Sequence, residues 1–142
     1  MAEVKTASVK WVSGLEFETT TGSGHRGVID VSEKAGGKNH GPSPMELLLV
    51  GMAGCTAMDI VDILRKKRQQ VSGLEVRVEG KRAETHPMVY TDIDVVYVVR
   101  GKDISARAVE DAIRLSEDKY CSAGVMMRKT ANIKSRYEIV AE

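Results

Sequence analysis

The two cysteines are the residues of this chain best suited to covalent chemistry. Cys55 lies in an apolar segment that is typical of a buried helix, whereas Cys121 follows an amphipathic stretch and opens a turn of small residues. Two thiols are sufficient for a redox pair, in which one sulfur is oxidised and the other then forms a disulfide with it. They are too few for a disulfide scaffold or a four-thiolate zinc site.

Each cysteine also has a purely structural interpretation. Cys55 lies about three turns into its predicted helix, beyond the first turn on which the helix dipole acts, and a buried free cysteine usually behaves as a small apolar residue. The turn at residues 122–124 predicts easier solvent access for Cys121 than for Cys55. An activated thiolate at either position needs an arginine, lysine or histidine nearby.

The composition limits the classes of function. The chain has 142 residues, 42% of them hydrophobic and only 4% aromatic, with a net charge of +1. This size predicts a single domain over residues 1–142. Scattered charges and scarce aromatic residues argue against a nucleic-acid partner. Because no metal-ligand spacing and no phosphate-binding glycine pattern is present, the sequence predicts neither a metal nor an organic cofactor.

The sequence predicts neither secretion nor a membrane span. Its first residues lack a basic segment followed by a long apolar run, so we expect no signal peptide. Residues 47–64 are the most apolar stretch, but Gly51, Gly54, Asp59 and Asp62 make a poor membrane span. We therefore expect a cytoplasmic protein, in a compartment where free thiols are the default.

Local patterns predict an α+β fold. Ser43, Pro44 and Glu46 form a capping box with a proline at the first helical position, which predicts a helix from there to about residue 68. Ser105 caps a second helix, with Ser116 on its buried face and Glu117 on its outer face. The predicted order is β-β-β-α-β-β-α-β with mostly antiparallel strands. The strands cover residues 9–20 with a turn in the middle, 27–31, 74–78, 89–99 and 133–139, and residues 125–127 add a short helix.

Two segments resemble a known family. The run from Gly41 to Thr56, with Glu46 and Cys55, resembles the cysteine helix of the osmotically inducible protein C and organic hydroperoxide resistance (OsmC/Ohr) family. Residues 117–122, around Cys121, resemble the second cysteine of that family, which also stands at a helix end. The glycine pair at residues 36–37 and the leucines before Cys55 are similar to the YhfA-like branch. The order of elements matches across nearly all the chain.

The resemblance implies both a fold and an activity. The fold is OsmC-like, with antiparallel sheets around a long buried central helix, and forms an intertwined homodimer in which both subunits build each active site. The activity is that of a thiol peroxidase for organic hydroperoxides. The Cys55 thiolate would attack the O–O bond and become a sulfenic acid, and Cys121 would condense with it to a disulfide. An external dithiol would reduce that disulfide without metal or haem.

The resemblance further implies an arginine, held by a glutamate, beside the reactive thiol. The glutamate of the family stands ten positions before the cysteine, where this chain has Met45, and Glu46 follows one residue later. One residue turns a side chain by about 100° around a helix. Glu46 is therefore both a helix cap and the candidate partner of an arginine. Arg26 is the only arginine before Cys55, and His25 is a substitute activator.

Two other functions remain open at this point. One is a non-enzymatic protein that binds a small hydrophobic molecule in the apolar dimer cleft. The other is a redox sensor, or a carrier of acyl groups, that uses the same thiols. A close pair of Cys55 and Cys121 favours the peroxidase, whereas a sizeable pocket with unreactive thiols favours the binding protein.

Overall fold

The computed structural model describes residues 1–142 and has the predicted α+β composition. A 3₁₀ turn (Glu33–Ala35) precedes the first helix, and a π-helical segment (Ser116–Tyr120), called the π segment below, follows the second. The helices are α1 (Pro44–Lys66), α2 (Ala106–Leu115) and α3 (Ser122–Arg128). The strands are β1 (Ala7–Ser13), β2 (Glu16–Thr21), β3 (Arg26–Ile29), β4 (Gln70–Arg82), β5 (Tyr90–Lys102) and β6 (Asn132–Ala141).

The chain divides into two compact units, Met1–Leu48 and Leu49–Glu142. The first unit contains the antiparallel sheet β1-β2-β3, the 3₁₀ turn and the first turn of α1. The second contains the rest of α1, the sheet β4-β5-β6 and the other helices. The single domain over residues 1–142 stays a prediction.

The sheet of the second unit contains one pairing that the sequence pattern did not indicate. Strands β4 and β5 are antiparallel, but β5 and β6 are parallel, with Tyr97 opposite Tyr137. Parallel neighbours need a long crossover connection, and here α2, the π segment and α3 form it. Cys121 lies in this crossover, between the π segment and α3.

The core of the second unit is built mainly from β5 and the buried faces of the helices. Strand β5 lies at the centre of its sheet, and seven of its thirteen residues are buried, including Tyr97, Val98 and Val99. Helix α2 contributes Val109 and Ala112. The most deeply buried apolar side chains are Ile60, Leu64, Ile93, Val99 and Val109.

Helix α1 is apolar on all sides but is buried along one stripe only. The stripe consists of residues spaced four apart, one turn of helix each: Met52, Thr56, Ile60 and Leu64. On the other faces, Val50 is 62% exposed and Met58 is 76% exposed. By length and composition alone α1 could cross a membrane, but this is weak evidence, because core helices of globular proteins pass the same test.

The predicted capping box at the start of α1 is confirmed. The Ser43 backbone N–H donates to Glu46 Oε1 at 2.9 Å, and the Glu46 backbone N–H donates to Ser43 Oγ at 3.2 Å. These two bonds satisfy N–H groups that a helix start leaves without partners. The hydrogen bond from the Ser43 backbone is the main reason that the pKa of Glu46 is lowered.

We expect Ser43→Ala to lower the free energy of unfolding by about 1 kcal/mol, because the substitution removes the side-chain acceptor of the cap. The measurement is urea denaturation followed by circular dichroism. Glu46→Gln is the matched control, since glutamine also closes a capping box and should leave stability nearly unchanged. Equal losses for both variants would contradict the reciprocal cap.

Candidate thiol site

The structure brings the two cysteines together. Cys55 on α1 lies close enough to Cys121, at the start of α3, to raise the pKa of the Cys121 thiol, and both thiols are free. Cys55 is partly exposed, whereas Cys121 is only 2% exposed. The accessible thiol is therefore Cys55, and the sequence-based prediction of easier access for Cys121 is wrong.

The burial of Cys121 follows from the helical segments on either side of it. Its backbone N–H donates to the Ser116 carbonyl at 2.7 Å, across the five-residue spacing of a π turn. Helix α3 begins at the next residue, and Cys121 Sγ accepts the Gly124 N–H at 3.2 Å as the cap of that helix. With the backbone held on both sides, the thiol points into the core instead of into the solvent.

Burial raises the pKa of the Cys121 thiol to about 11. The neighbouring Cys55 and the charge of Asp59 raise this pKa further, while the hydrogen bond from Gly124 opposes the rise. Because a thiol with a raised pKa keeps its proton, Cys121 is neutral at physiological pH. It is thus suited to be the second thiol of a redox pair, which reacts only after its partner has been activated.

A chain of buried and partly buried polar groups lies beside the thiols. The Thr56 hydroxyl contacts the Tyr97 hydroxyl at 3.1 Å and the Ser116 hydroxyl at 2.7 Å. Ser116 Oγ donates to Asp59 Oδ2 at 2.9 Å, and Tyr97 Oη donates to Glu117 Oε2 at 2.7 Å. These five residues, called the hydroxyl chain below, connect α1, β5 and the π segment. Burial is the main reason that the pKa of Tyr97 is raised.

Glu117 therefore does not lie on the outer face of the second helix, as the sequence pattern predicted. Its carboxylate accepts from Tyr97 and also from Ser135 Oγ at 3.1 Å. The Arg128 guanidinium donates to the Glu117 carbonyl at 2.7 Å and lies 4.0 Å from its carboxylate. The reason is the π segment, because its wider turn changes the direction of every side chain after Ser116.

A small cavity of about 20 Å³ lies beside Cys121. It has room for roughly one water molecule. Its walls combine apolar residues with members of the hydroxyl chain: Met52, Thr56, Val95, Tyr97, Glu117, Cys121, Gly124, Arg128 and Ile133. A cavity of this size is too small for an apolar ligand.

The predicted activating residues lie in the first unit, Met1–Leu48. Arg26 is exposed at the start of β3, opposite Thr20, and forms no ion pair with Glu46. Glu46 is occupied by the helix cap. His25 is exposed, and its Nδ1 contacts Ser23 Oγ at 3.0 Å.

Glu16, Asp30 and His40 form the cluster in the structure that comes nearest to a metal site, with ligand atoms within 4.8 Å of one another. Its groups have other partners. The buried Asp30 carboxylate accepts the backbone N–H groups of Val31, Lys38 and His40, and Glu16 is paired with Lys38 and His40. The cluster thus holds the loop after β3 in place.

Most of the hydroxyl chain could not be predicted from the sequence as a functional feature. Asp59 and Thr56 were visible as polar residues inside an apolar helix, and such residues need buried partners. The partners come from β5 and the π segment, which the sequence pattern could not place beside α1.

Comparison with known proteins identifies the family. The family model described as OsmC-like protein matches residues 36–136. The chain belongs to the OsmC family. It is 43% identical to protein YhfA of Escherichia coli K12 over 135 residues, which cover 95% of this chain and 98% of YhfA. The suspected resemblance to the OsmC/Ohr family and its YhfA-like branch is therefore confirmed.

Solved structures show the same OsmC fold. A hypothetical protein from Aquifex aeolicus VF5 is 35% identical, with a TM-score of 0.88 and coverage of 99% of both chains. The organic hydroperoxide resistance protein OhrB of Bacillus subtilis has a TM-score of 0.65 at 17% identity, covering 96% of this chain and 98% of its own. At that identity the likeness to OhrB establishes the shared fold alone.

The environments of the two thiols predict a large difference in alkylation. At about pH 8 we expect iodoacetamide to modify Cys55 in the folded protein and to leave Cys121 unmodified until denaturant is added, because Cys121 is buried and protonated. Peptide mass mapping identifies the modified residue.

Burial raises the pKa of the Cys121 thiol from its ordinary value of 9.0 to about 11 in the folded protein. The contribution of Cys121 to stability should therefore be present below pH 9 and be lost as the pH rises towards 11.

Cys121→Ala should remove that loss of stability between pH 9 and 11, and Cys55→Ala is the matched control. Faster alkylation of Cys121 than of Cys55 would contradict the assignment of the accessible thiol.

Proposed function

We propose that this OsmC-family protein is a cysteine-based peroxidase that reduces organic hydroperoxides in defence against oxidative stress. The observation that carries the proposal is the contact between an accessible Cys55 and a buried, protonated Cys121 from distant parts of the chain. Membership of the OsmC family supports it, as does a structural neighbour that is itself an organic hydroperoxide resistance protein.

In the proposed cycle, the Cys55 thiolate attacks the O–O bond of the hydroperoxide. The bond breaks, the alkoxide leaves as an alcohol after taking up a proton, and Cys55 becomes a sulfenic acid. Cys121 then attacks the Cys55 sulfur; the S–S bond forms, the S–O bond breaks and water leaves. An external dithiol reduces the disulfide and restores both thiols. The proposed cycle uses no metal or organic cofactor, and we propose that it runs in the reducing cytoplasm, where free thiols are the default.

A homodimer is part of the proposal, and α1 supports it. Outside its buried stripe the helix exposes Val50 and Met58, and a Cβ added at Gly51 or Gly54 would meet nothing within 4 Å. Open glycines on an apolar helix allow a second helix to approach closely. Strand β1 likewise exposes Trp11, by 65%. A second copy of the chain would remove this apolar surface from water.

The dimer also provides a role for Arg26. Within the chain Arg26 is exposed and Glu46 caps α1, so we assign Arg26 as the guanidinium that steadies the peroxide only in the assembled dimer. Glu46 supports that site by fixing the start of α1.

The proposed function is tested by mixing the reduced protein with a bulky organic hydroperoxide in a stopped-flow instrument and counting thiols. We expect rapid loss of both thiols and an intramolecular Cys55–Cys121 disulfide. Cys55→Ser should abolish the reaction, and Arg26→Ala should slow it by about tenfold or more, because a positioned cation stabilises the developing charge.

Cys121→Ser is the matched variant for the second step. It should allow one oxidation of Cys55 but no sustained turnover with an external dithiol. A wild-type rate no faster than that of a free thiol would overturn the peroxidase proposal. Full turnover by Cys121→Ser would show that Cys121 is not the resolving thiol.

For the dimer, we expect Met58→Glu to shift the protein towards the monomer, because it places a charge in a desolvated interface. Sedimentation velocity measures the shift. Met58→Leu is the control, since it keeps the apolar surface and should keep the wild-type assembly. A wild-type protein that sediments as a monomer at tens of micromolar, roughly the range where weak complexes still form, would contradict the dimer.

A further inference from the structure

The hydroxyl chain has fewer protons than contacts. It consists of four O···O contacts in series: Asp59 to Ser116, Ser116 to Thr56, Thr56 to Tyr97, and Tyr97 to Glu117. Each contact needs one proton to be a hydrogen bond. The three hydroxyls supply one proton each, and ionised carboxylates supply none. With both ends ionised, one contact therefore has no proton.

The geometry indicates which contact that is. Ser116 donates to Asp59 and Tyr97 donates to Glu117, so only the Thr56 hydroxyl proton remains for the two contacts in the middle. Thr56 is 2.7 Å from Ser116 and 3.1 Å from Tyr97. The shorter contact takes the proton, and the contact between Thr56 and Tyr97 is left without one.

From this arrangement we infer that the hydroxyl chain accepts the proton that Cys121 releases when it attacks the oxidised Cys55. The inference deepens the proposed function, because it concerns the second step of that cycle. The cavity beside Cys121 has room for about one water molecule and is also lined by Thr56 and Tyr97, so it provides a route from the thiol to the incomplete contact.

One added proton completes every contact. When Thr56 receives it, the original Thr56 proton passes to Ser116 and the original Ser116 proton passes to Asp59. Every hydrogen bond of the hydroxyl chain then has the same direction: each member donates to the next, in the order Asp59, Ser116, Thr56, Tyr97 and Glu117. In the peroxide cycle, the hydroxide that leaves Cys55 takes this proton back from the hydroxyl chain and departs as water. The step therefore neither consumes nor releases a proton overall.

The shift of protons along the chain ends at Asp59, which is also the carboxylate with fewer hydrogen-bond partners. Glu117 accepts from Tyr97 and Ser135 and faces the Arg128 guanidinium, whereas Asp59 accepts from Ser116 only. Asp59 lies one helical turn after Cys55 and its charge acts on the Cys121 thiol. The titratable or charged groups that belong to the hydroxyl chain or face it from α1, β5, the π segment and α3 are Asp59, Glu117, Arg128, Tyr97 and the two thiols.

The test uses an aromatic disulfide that releases a coloured thiolate, so it does not depend on a hydroperoxide. The accessible Cys55 forms a mixed disulfide and releases the first thiolate. Cys121 then attacks Cys55; the internal S–S bond forms, the mixed S–S bond breaks and the second thiolate leaves, while the Cys121 proton enters the hydroxyl chain. The two releases are followed as separate phases by stopped-flow absorbance.

We expect Asp59→Asn to slow the second phase by about 100-fold near pH 7, the range typical of a lost general base, and to leave the first phase within about twofold of wild type. The second-phase rate of the variant should rise about tenfold per pH unit, because Cys121 must then lose its proton to solvent. The wild-type rate should depend only weakly on pH.

Asp62→Asn is the matched control. It makes the same substitution on the same helix, at an exposed carboxylate paired with Lys66, and should change neither phase. Tyr97→Phe is an independent variant. Without the Tyr97 hydroxyl, the remaining contacts of Ser116 with Asp59 and Thr56 each already have a proton, so the chain has no incomplete contact. The variant should slow the second phase and steepen its pH dependence, as Asp59→Asn does.

Folded Asp59→Asn and Tyr97→Phe proteins with a wild-type second phase and pH dependence would overturn the inference, as would equal slowing of both phases. A protein that shows the expected effects with the aromatic disulfide but does not consume hydroperoxides would contradict the proposed function and support the hydroxyl chain as proton acceptor.

Discussion

The contacts of one buried hydroxyl, that of Thr56, determine how the rest of the site is arranged. Thr56 joins α1 to Tyr97 on β5 and to Ser116 at the start of the π segment. A hydroxyl buried without partners costs about 1–3 kcal/mol, and in this arrangement each of the three hydroxyls donates one hydrogen bond: Ser116 to Asp59, Thr56 to Ser116 and Tyr97 to Glu117. This arrangement fixes the residue after Cys55 against the segment before Cys121. The contact between the two thiols is therefore a consequence of a polar network in an apolar core.

The parallel pairing of β5 and β6 gives that network its position. A parallel pair needs a long connection, and the connection here carries α2, the π segment and α3 across the sheet. The π segment changes the helical phase so that Ser116 and Glu117 both find partners in the core, and Cys121 follows at once as the cap of α3. The same stretch of chain thus buries the second thiol and contributes Ser116 and Glu117 to the hydroxyl chain. The exposed apolar faces of α1 and β1 are a separate feature, which the proposed dimer accounts for.

Local signals in the sequence predicted the helices and strands well. The features that these signals did not predict are determined by tertiary contacts. The capping box of Ser43 and Glu46 and the cap at Ser105 gave both helix starts, because caps depend on residues three apart. The resemblance around Cys55 and Cys121 identified the family. By contrast, the greater exposure predicted for Cys121 and the outward direction predicted for Glu117 were wrong, because a π turn has no sequence signature in this chain. The hydroxyl chain was missed because its members come from three elements.

The proposed function requires that Cys55 and Cys121 act as one redox pair. The decisive measurement is mass spectrometry of the intact and digested protein after treatment with one equivalent of an organic hydroperoxide under non-reducing conditions. We expect a chain that has lost two hydrogen atoms and yields a single cross-linked peptide pair containing both cysteines. Cys55 found only as a sulfinic acid, or joined to Cys55 of a second chain while Cys121 stays reduced, would contradict it.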